Sequence, residues 1–195
     1  MARIGVFGGT FDPIHVGHLV AAVNVRHSLG LDCVLLVVAN VPWQKAGSRD
    51  LTPAEDRFAM VKAAVGDVAG IEASRLEIDR GGPSLTADTL GQLAAADPGC
   101  QLFCILGADA AAGLPTWERV DEVRQRATLV VVNRPGAGPP AGLDGWRVEP
   151  VEVPALDISS TDLRARIADG RPLDYLVPES AVRCIRERNL YAAGR

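Results

Sequence analysis

Short apolar runs bounded by turn residues alternate along this chain with longer segments of helical periodicity. This alternation is typical of a parallel β-sheet covered by helices on both faces, because each parallel strand reaches the next through a helix. The apolar runs predict strands near residues 3–7, 33–39, 71–78, 101–106, 127–133 and 147–153. The helical segments predict helices near residues 16–29, 53–66, 85–96, 117–125, 160–169 and 178–188.

The length of the chain fits one domain. The sequence has 195 residues, of which 48% are hydrophobic, and a chain of this size buries one substantial core. We therefore expect a single α/β domain over residues 1–195, built as a Rossmann-like, doubly wound parallel sheet. Residues 159–195 are expected to form a small helical portion at its C-terminal end.

The charge balance argues against several partners. The sequence has 20 Lys and Arg residues against 24 Asp and Glu residues, a net charge of −4, so no positive field recruits nucleic acid or an acidic membrane surface. The longest apolar runs, such as residues 34–39, are much shorter than a membrane span, and the first residues have no signal-peptide core. We expect a cytoplasmic protein. The sequence does not determine its oligomeric state, and a homo-oligomer is one of the possibilities.

The stretch GGTFDPIHVGH, residues 8–18, follows the first predicted strand. Glycines let the backbone turn sharply and approach a ligand, and the start of a helix presents unpaired N–H groups with a partial positive charge. His15 and His18 are spaced i, i+3, so both rings lie on one face of the first helical turn. This pattern favours a phosphate site over an ordinary helix start. No spacing of cysteines or carboxylates completes a zinc site around the histidines.

A second candidate anion site opens the next-to-last predicted helix. Ser159 and Asp162 have the spacing of a capping box, and Ser160 and Thr161 add hydroxyl groups beside the unpaired N–H groups. Capping alone explains one hydroxyl, whereas three in succession, with Arg164 one turn further on, indicate an anion cradle. Two helix starts of this kind would together hold a polyphosphate.

GGTFDPIHVGH together with ISSTDLR, residues 158–164, resembles the paired signature of the HxGH nucleotidyltransferases. Four further segments are similar to those of bacterial nicotinate-nucleotide adenylyltransferases: PSLTADTL at 83–90, GADAAAGLPTW at 107–117, NRPG at 133–136 and LVPESAVRCIRERNLY at 176–191. The resemblance covers nearly the whole chain. It implies an enzyme that makes deamido-NAD and pyrophosphate from ATP and nicotinate mononucleotide, with Mg²⁺ bound through the ATP phosphates.

The resemblance also implies the nucleotide contacts. Thr10, His15, His18 and Arg164 are expected to carry catalysis by stabilising charge, since a mononucleotide phosphate is already ionised at about pH 7 and needs no general base. Asp109 is expected to accept hydrogen bonds from the ribose hydroxyls of ATP. The residues expected to bind ATP are Gly8, Gly9, Thr10, His15, His18, Lys45, Gly107, Asp109, Ile158, Ser159, Ser160, Thr161 and Arg164.

Two basic residues keep alternative interpretations. Lys45 would either contact the ATP phosphates or be a solvated lysine of a loop. The residues before it depart from the family's pattern: Gln44 stands where the family often has His, and Trp43 stands where Pro is common. This departure leaves the role of Lys45 open. Arg57 is similar to an arginine of the family, and an exposed helical arginine is an equally good interpretation.

Three residues are candidates for binding the acceptor nucleotide. Trp117 is expected to stack on the nicotinate ring, with core packing as its alternative. Thr86, at the start of a predicted helix, would donate hydrogen bonds to the nicotinate carboxylate. Arg134 would pair with the mononucleotide phosphate.

Other functions compete with this one. The same chemistry on nicotinamide mononucleotide or phosphopantetheine is the nearest alternative, and a non-catalytic nucleotide-binding module is a second. A redox dehydrogenase is disfavoured, because the sequence lacks the glycine spacing of the dinucleotide-binding fingerprint.

Overall fold

Six parallel strands form one sheet in the computed structural model, which describes residues 1–42, 51–133 and 142–192. Each strand falls within or overlaps one of the predicted apolar runs, so the expected α/β fold class is confirmed. The strands are β1 (Arg3–Gly9), β2 (Cys33–Val38), β3 (Ile71–Ser74), β4 (Gln101–Gly107), β5 (Ala127–Asn133) and β6 (Val148–Glu152).

The strand order β3-β2-β1-β4-β5-β6 places β1 inside the sheet. The chain first builds outwards from β1 through β2 to β3, and then crosses to the other side of β1 with β4. Val6 accordingly pairs with Leu35 on one side and with Cys104 on the other. In sheets of this type ligands bind beyond the carboxyl ends of the strands, where the winding direction reverses. The end of β1 is therefore the place to look for a site.

The helices connect the strands and cover the sheet. All six predicted helices are present, with ends that differ by a few residues. They are α1 (Val16–Leu29), α2 (Ala54–Val65), α4 (Thr86–Ala96), α6 (Val120–Arg126), α7 (Ser160–Asp169) and α8 (Glu179–Glu187), and two short helices, α3 (Leu76–Arg80) and α5 (Ala108–Ala112), were not predicted.

The strand predicted over residues 71–78 is wrong beyond Ser74. The hydroxyl of Ser74 accepts a hydrogen bond from the N–H of Leu76 at 3.4 Å, and the N–H of Asp79 donates to the carbonyl of Arg75 at 2.8 Å. These bonds turn the chain into α3. The apolar run had favoured a strand to residue 78, but a hydroxyl that competes for backbone N–H groups ends it at Ser74.

Two apolar clusters of buried residues pack on the sheet. One includes Val25 of α1 and Met60 of α2, and the other includes Leu90 of α4 and Val123 of α6. The C-terminal helices belong to the first cluster, to which α7 contributes Leu163 and α8 contributes Ala181 and Ile185. Residues 159–192 thus share the core of the sheet.

Within the three described ranges, no helix has both the length and the apolar character that crossing a bilayer requires.

Gly5 leaves no room for a side chain in the middle of β1. A Cβ atom there would lie 2.9 Å from Ile105 Cδ1 and 2.9 Å from Val34 Cγ2. Gly5→Ala should therefore lower the free energy of unfolding by about 1–3 kcal/mol through overpacking. Urea denaturation measures this. The control is Gly91→Ala in α4, where a Cβ would meet nothing closer than 4.0 Å; an equal loss in both variants would contradict the packing argument.

Candidate active site

A cavity of about 1240 Å³ opens at the carboxyl ends of β1, β4 and β5, where the strand order reverses. The starts of α4 and α7 contribute to its wall. Most of the site residues expected from the sequence meet there. Those that line the cavity are Gly8, Gly9, Thr10, His18, Thr86, Gly107, Asp109, Trp117, Ser159, Ser160, Thr161 and Arg164.

Of the expected site residues that the structure describes, two are not in this lining. His15 is buried behind the wall, stacked on His18, and Ile158 packs against the apolar core. Lys45 and Arg134 lie outside the described residues, as do Trp43 and Gln44 next to Lys45. Their expected roles stay predictions.

The start of α7 is bonded to the β1–α1 turn, residues 10–15. The Ser160 hydroxyl donates to the carbonyl of Pro13 at 2.9 Å, and Arg164 Nη1 donates to the carbonyl of Asp12 at 2.7 Å. Arg164 Nη2 also donates to Thr161 Oγ1 at 3.1 Å. The two predicted anion cradles are therefore adjacent parts of one wall.

Ser159 is the N-cap of α7. Its hydroxyl accepts a hydrogen bond from the N–H of Asp162 at 3.2 Å, as the capping spacing predicted. The carboxylate of Asp162 instead pairs with Arg166, 2.6 Å away, and Arg171, so the reciprocal half of a capping box is not formed. The capped start of α7 presents its remaining N–H groups beside the β1–α1 turn.

Arg57 holds the opposite side of the same turn. Its guanidinium donates to three backbone carbonyls: Thr10 at 2.9 Å, Asn40 at 3.1 Å and Thr52 at 2.8 Å. The side chain is 1% exposed, so the alternative of an exposed helical arginine is wrong. The three carbonyl oxygens fit the fixed, planar geometry of the guanidinium donors. Arg57 thereby links the end of β1 to the residues that follow β2 and to those that precede α2.

His15 and His18 stack on each other. Their ring centroids are 3.7 Å apart at an interplanar angle of 30°. The backbone N–H of His15 donates to His18 Nδ1 at 3.2 Å, so a neutral His18 carries its proton on Nε2. A Cβ at Gly17 would lie 3.1 Å from His15 Nδ1. Gly17 therefore makes room for the His15 ring.

Burial determines the charge of His15. The residue is 8% exposed, and desolvation lowers the pKa of its imidazole from 6.5 to about 4. Its Nδ1 has no hydrogen-bond partner within the described parts of the chain. His15 is therefore neutral near pH 7 in this structure.

The far side of the cavity is formed by the start of α4 and by Trp117. Thr86 is the first residue of α4, and Trp117 both lines the cavity and packs on the second apolar cluster. Buried beside them, Thr89 Oγ1 donates to Glu77 Oε1 at 2.7 Å and accepts from Arg80 at 3.2 Å. The indole N–H of Trp117 is buried and lacks a partner among the residues described.

A metal site made by the protein does not occur in the described part of the chain. No three His, Cys, Asp or Glu side chains are grouped there in a way that could hold an ion.

Comparison with known proteins agrees with this geometry. Residues 6–166 match the model of the cytidylyltransferase-like family. A probable nicotinate-nucleotide adenylyltransferase of Streptomyces coelicolor is 50% identical over 185 residues, which cover 94% of this chain and 98% of that protein. Its counterpart from Corynebacterium kroppenstedtii is 48% identical over 192 residues, 97% of this chain and 90% of that protein. This chain belongs to the nicotinate-nucleotide adenylyltransferase family.

A solved structure shows the same fold at low sequence identity. Nicotinic acid mononucleotide adenylyltransferase of Plasmodium falciparum, complexed with NaAD, superposes with a TM-score of 0.81 and 18% identity. The superposition covers 98% of both chains. The resemblance found in the sequence motifs is thus confirmed for the family and for the Rossmann-like fold.

Sequence reasoning missed several polar residues of this adenylyltransferase site. Glu77 lies in the helix that had been assigned to a strand, so its place in the cavity wall was not expected. Arg57 did have a signal, because the buried residues Met60, Val61 and Ala64 recur at helical spacing from it. Its burial could have been inferred from that face.

The neutral His15 predicts acid sensitivity. The unfolded chain takes up a proton at this residue below about pH 6.5, whereas the native state does so only near its pKa of about 4. The unfolded state therefore binds more protons in this window, and the free energy of unfolding falls as the pH falls. Between pH 6.5 and 5 the loss from His15 should be roughly 2 kcal/mol, at about 1.4 kcal/mol per pH unit.

Urea denaturation at the two pH values measures this loss. His15→Gln should remove it, and His27→Gln, at an exposed position late in α1, should leave it as in the wild type. If the free energy of unfolding of His15→Gln fell with pH as much as that of the wild type, the loss could not be attributed to His15.

Proposed function

We propose that this chain transfers the adenylyl group of ATP to nicotinate mononucleotide, releasing pyrophosphate and deamido-NAD. One observation carries the proposal: the β1–α1 turn, His18 of α1 and the capped start of α7 lie against one cavity, which Thr86 and Trp117 line on its other side. Relatives that are 48–50% identical are named probable nicotinate-nucleotide adenylyltransferases, and the structural neighbour was complexed with NaAD.

The reaction needs positioning more than proton transfer. An oxygen of the mononucleotide phosphate forms a bond to the α-phosphorus of ATP, while the bond from that phosphorus to the bridging oxygen breaks and pyrophosphate leaves. The attacking phosphate is ionised near pH 7, so no residue needs to remove a proton from it. The protein lowers the barrier by aligning the two nucleotides and by stabilising charge on the transferred group and on the leaving group.

The triphosphate side is proposed to be the wall of Thr10, His18 and the start of α7. Arg164 supplies a permanent positive charge, and the N–H groups of two helix starts supply partial charges. His18, which lines the cavity, donates from Nε2 when its ring is neutral. His15 is neutral near pH 7 in this structure, because burial lowers its pKa. Its proposed contribution in this state is to support the His18 ring by stacking on it.

Mg²⁺ is proposed to bind through the phosphates of ATP. Oxygen donors of phosphates suit this ion, which usually keeps few protein ligands. When bound, it neutralises charge on the β- and γ-phosphates. The cavity wall offers the hydroxyl groups of Thr10 and Thr161 as donors for the phosphates themselves.

The acceptor side is proposed to bind the nicotinate ring between Trp117 and the start of α4. A flat indole suits stacking on a heteroaromatic ring. The first turn of α4, at Thr86, faces the cavity with unpaired N–H groups that favour a carboxylate. Arg134 and Lys45 are kept as proposed phosphate ligands, although both lie outside the described residues.

Pyrophosphate release is the direct test. The purified protein is given ATP with Mg²⁺ and, separately, nicotinate mononucleotide, nicotinamide mononucleotide or phosphopantetheine. Release with the first acceptor is expected to exceed that with the others. Release with another acceptor alone would replace the proposed substrate, and ATP binding with no release from any acceptor would favour a non-catalytic nucleotide-binding module.

His18→Ala removes the histidine that lines the cavity. The kcat should fall by about 10²–10³-fold, the usual effect of losing one donor to a developing charge. The circular dichroism spectrum should remain that of the wild type. His27→Ala is the matched control, since His27 is exposed on the same helix. Normal turnover by His18→Ala would eliminate its proposed role.

Trp117→Ala separates ring stacking from core packing. If the indole stacks on the nicotinate ring, the KM for the mononucleotide should rise by roughly tenfold, as for the loss of one aromatic stack worth about 1–1.5 kcal/mol. The KM for ATP should change little. Trp146→Ala is the control, because Trp146 packs on the same apolar cluster but does not line this cavity. A matching rise of KM in both variants would assign Trp117 to packing.

A further inference from the structure

The phenol of Tyr191 reaches the site from the C-terminal end of the described chain. Its hydroxyl donates to Asp12 Oδ1 at 2.6 Å. Asp12 is 2% exposed, and it lies in the β1–α1 turn, 179 residues earlier in the sequence. Burial, and then the nearby Asp12 carboxylate, raise the pKa of Tyr191. The hydroxyl therefore stays protonated and donates at all physiological pH values.

The segment that carries Tyr191 is anchored before it reaches the turn. Leu190 is buried in the first apolar cluster, and its N–H donates to the carbonyl of Ile185 at 3.0 Å. Arg188 Nη1 pairs with Asp56 Oδ1 of α2 at 2.6 Å. Tyr191 itself has a φ of +62°, a left-handed backbone conformation that is strained for a residue with a side chain. The packing around the segment holds it in that strained form.

The negative charge of the Asp12 carboxylate opposes the binding of an anion in this cavity. Asp12 lines the same cavity as Thr10, His18 and Arg164. A carboxylate turned towards bound phosphates would repel them, because like charges interact strongly where water is excluded. A short hydrogen bond from a phenol spreads this charge and fixes the direction of the carboxylate. The carbonyl of Asp12 meanwhile accepts from Arg164 at 2.7 Å.

We propose that Tyr191 is a positioning residue for ATP: it holds the Asp12 carboxylate in place and so keeps the β1–α1 turn in the shape that receives the triphosphate. The inference rests on the proposed function only in taking ATP as the ligand of this turn. It assigns to the C-terminal segment a part in nucleotide affinity, through Asp12, beyond its packing against α2. Tyr191 acts through Asp12 and does not line the cavity itself.

ATP affinity measured by calorimetry, with Mg²⁺ and without the mononucleotide, tests this role. Tyr191→Phe keeps the ring and removes the hydroxyl, and the Kd for ATP should rise about tenfold, the effect of losing one hydrogen bond to a charged group. Tyr175→Phe is the matched control. Tyr175 is 94% exposed, and this variant should bind ATP as the wild type does.

A double-mutant cycle separates positioning from general stability. If Tyr191 acts through the carboxylate, the double variant Asp12→Asn with Tyr191→Phe should bind ATP no more weakly than Asp12→Asn alone. Independent effects would multiply, and that result would overturn the proposal. An unchanged Kd in Tyr191→Phe would also overturn it, even if urea denaturation showed a less stable protein, because the hydroxyl would then serve the fold only.

Turnover of the wild type keeps this inference distinct from the proposed function. If the wild type binds ATP but releases no pyrophosphate with nicotinate mononucleotide, the proposed reaction fails while the Kd values still decide the role of Tyr191. If the wild type turns over and Tyr191→Phe keeps the wild-type Kd, the inference alone fails.

Discussion

The β1–α1 turn is held in shape by hydrogen bonds that its carbonyl groups accept from distant side chains. Arg57 donates to Thr10, and α7 donates to the next part of the turn through Arg164 and Ser160. A turn that must leave its N–H groups open to a phosphate is best fixed through its carbonyls. The position of the sheet reversal, the burial of Arg57 and the docking of α7 all serve this arrangement.

The cavity has little net positive charge to attract an anion. Its described lining contains Arg164 and also the carboxylates of Asp12, Glu77, Asp109 and Glu118, in a chain whose net charge is −4. Among the cavity residues, Arg164 is a permanent cation, while His15 is kept neutral by burial behind the wall. The remaining attraction for phosphate comes from the dipoles of helix starts, which need no counter-ion when the site is empty. This makes the affinity of the cavity for anions a local property, independent of the overall charge of the protein.

The sequence predicted what is periodic or local. Six strands, six helices and the hydroxyl cap at Ser159 follow from patterns within a few residues, and residues of the two motifs meet at one wall of the cavity. The error at residues 75–78 arose because a short apolar run does not exclude a short helix. The contact of Tyr191 with Asp12 could not be predicted, since no local pattern links residues 179 positions apart. The apolar face of α2 indicated the burial of Arg57 but not its three carbonyl partners.

Three supports of the β1–α1 turn come late in the chain. The contacts from Ser160 and Arg164 span 147 and 152 residues, and that from Tyr191 spans 179. Chains grow from the N-terminus, and contacts of long sequence separation form only after the entropy of closing the intervening loop is lost. A growing polypeptide therefore displays the first half of the cavity long before the second half exists. It lacks these supports of the proposed nucleotide site until residues 160–191 have been made and have folded back onto the turn.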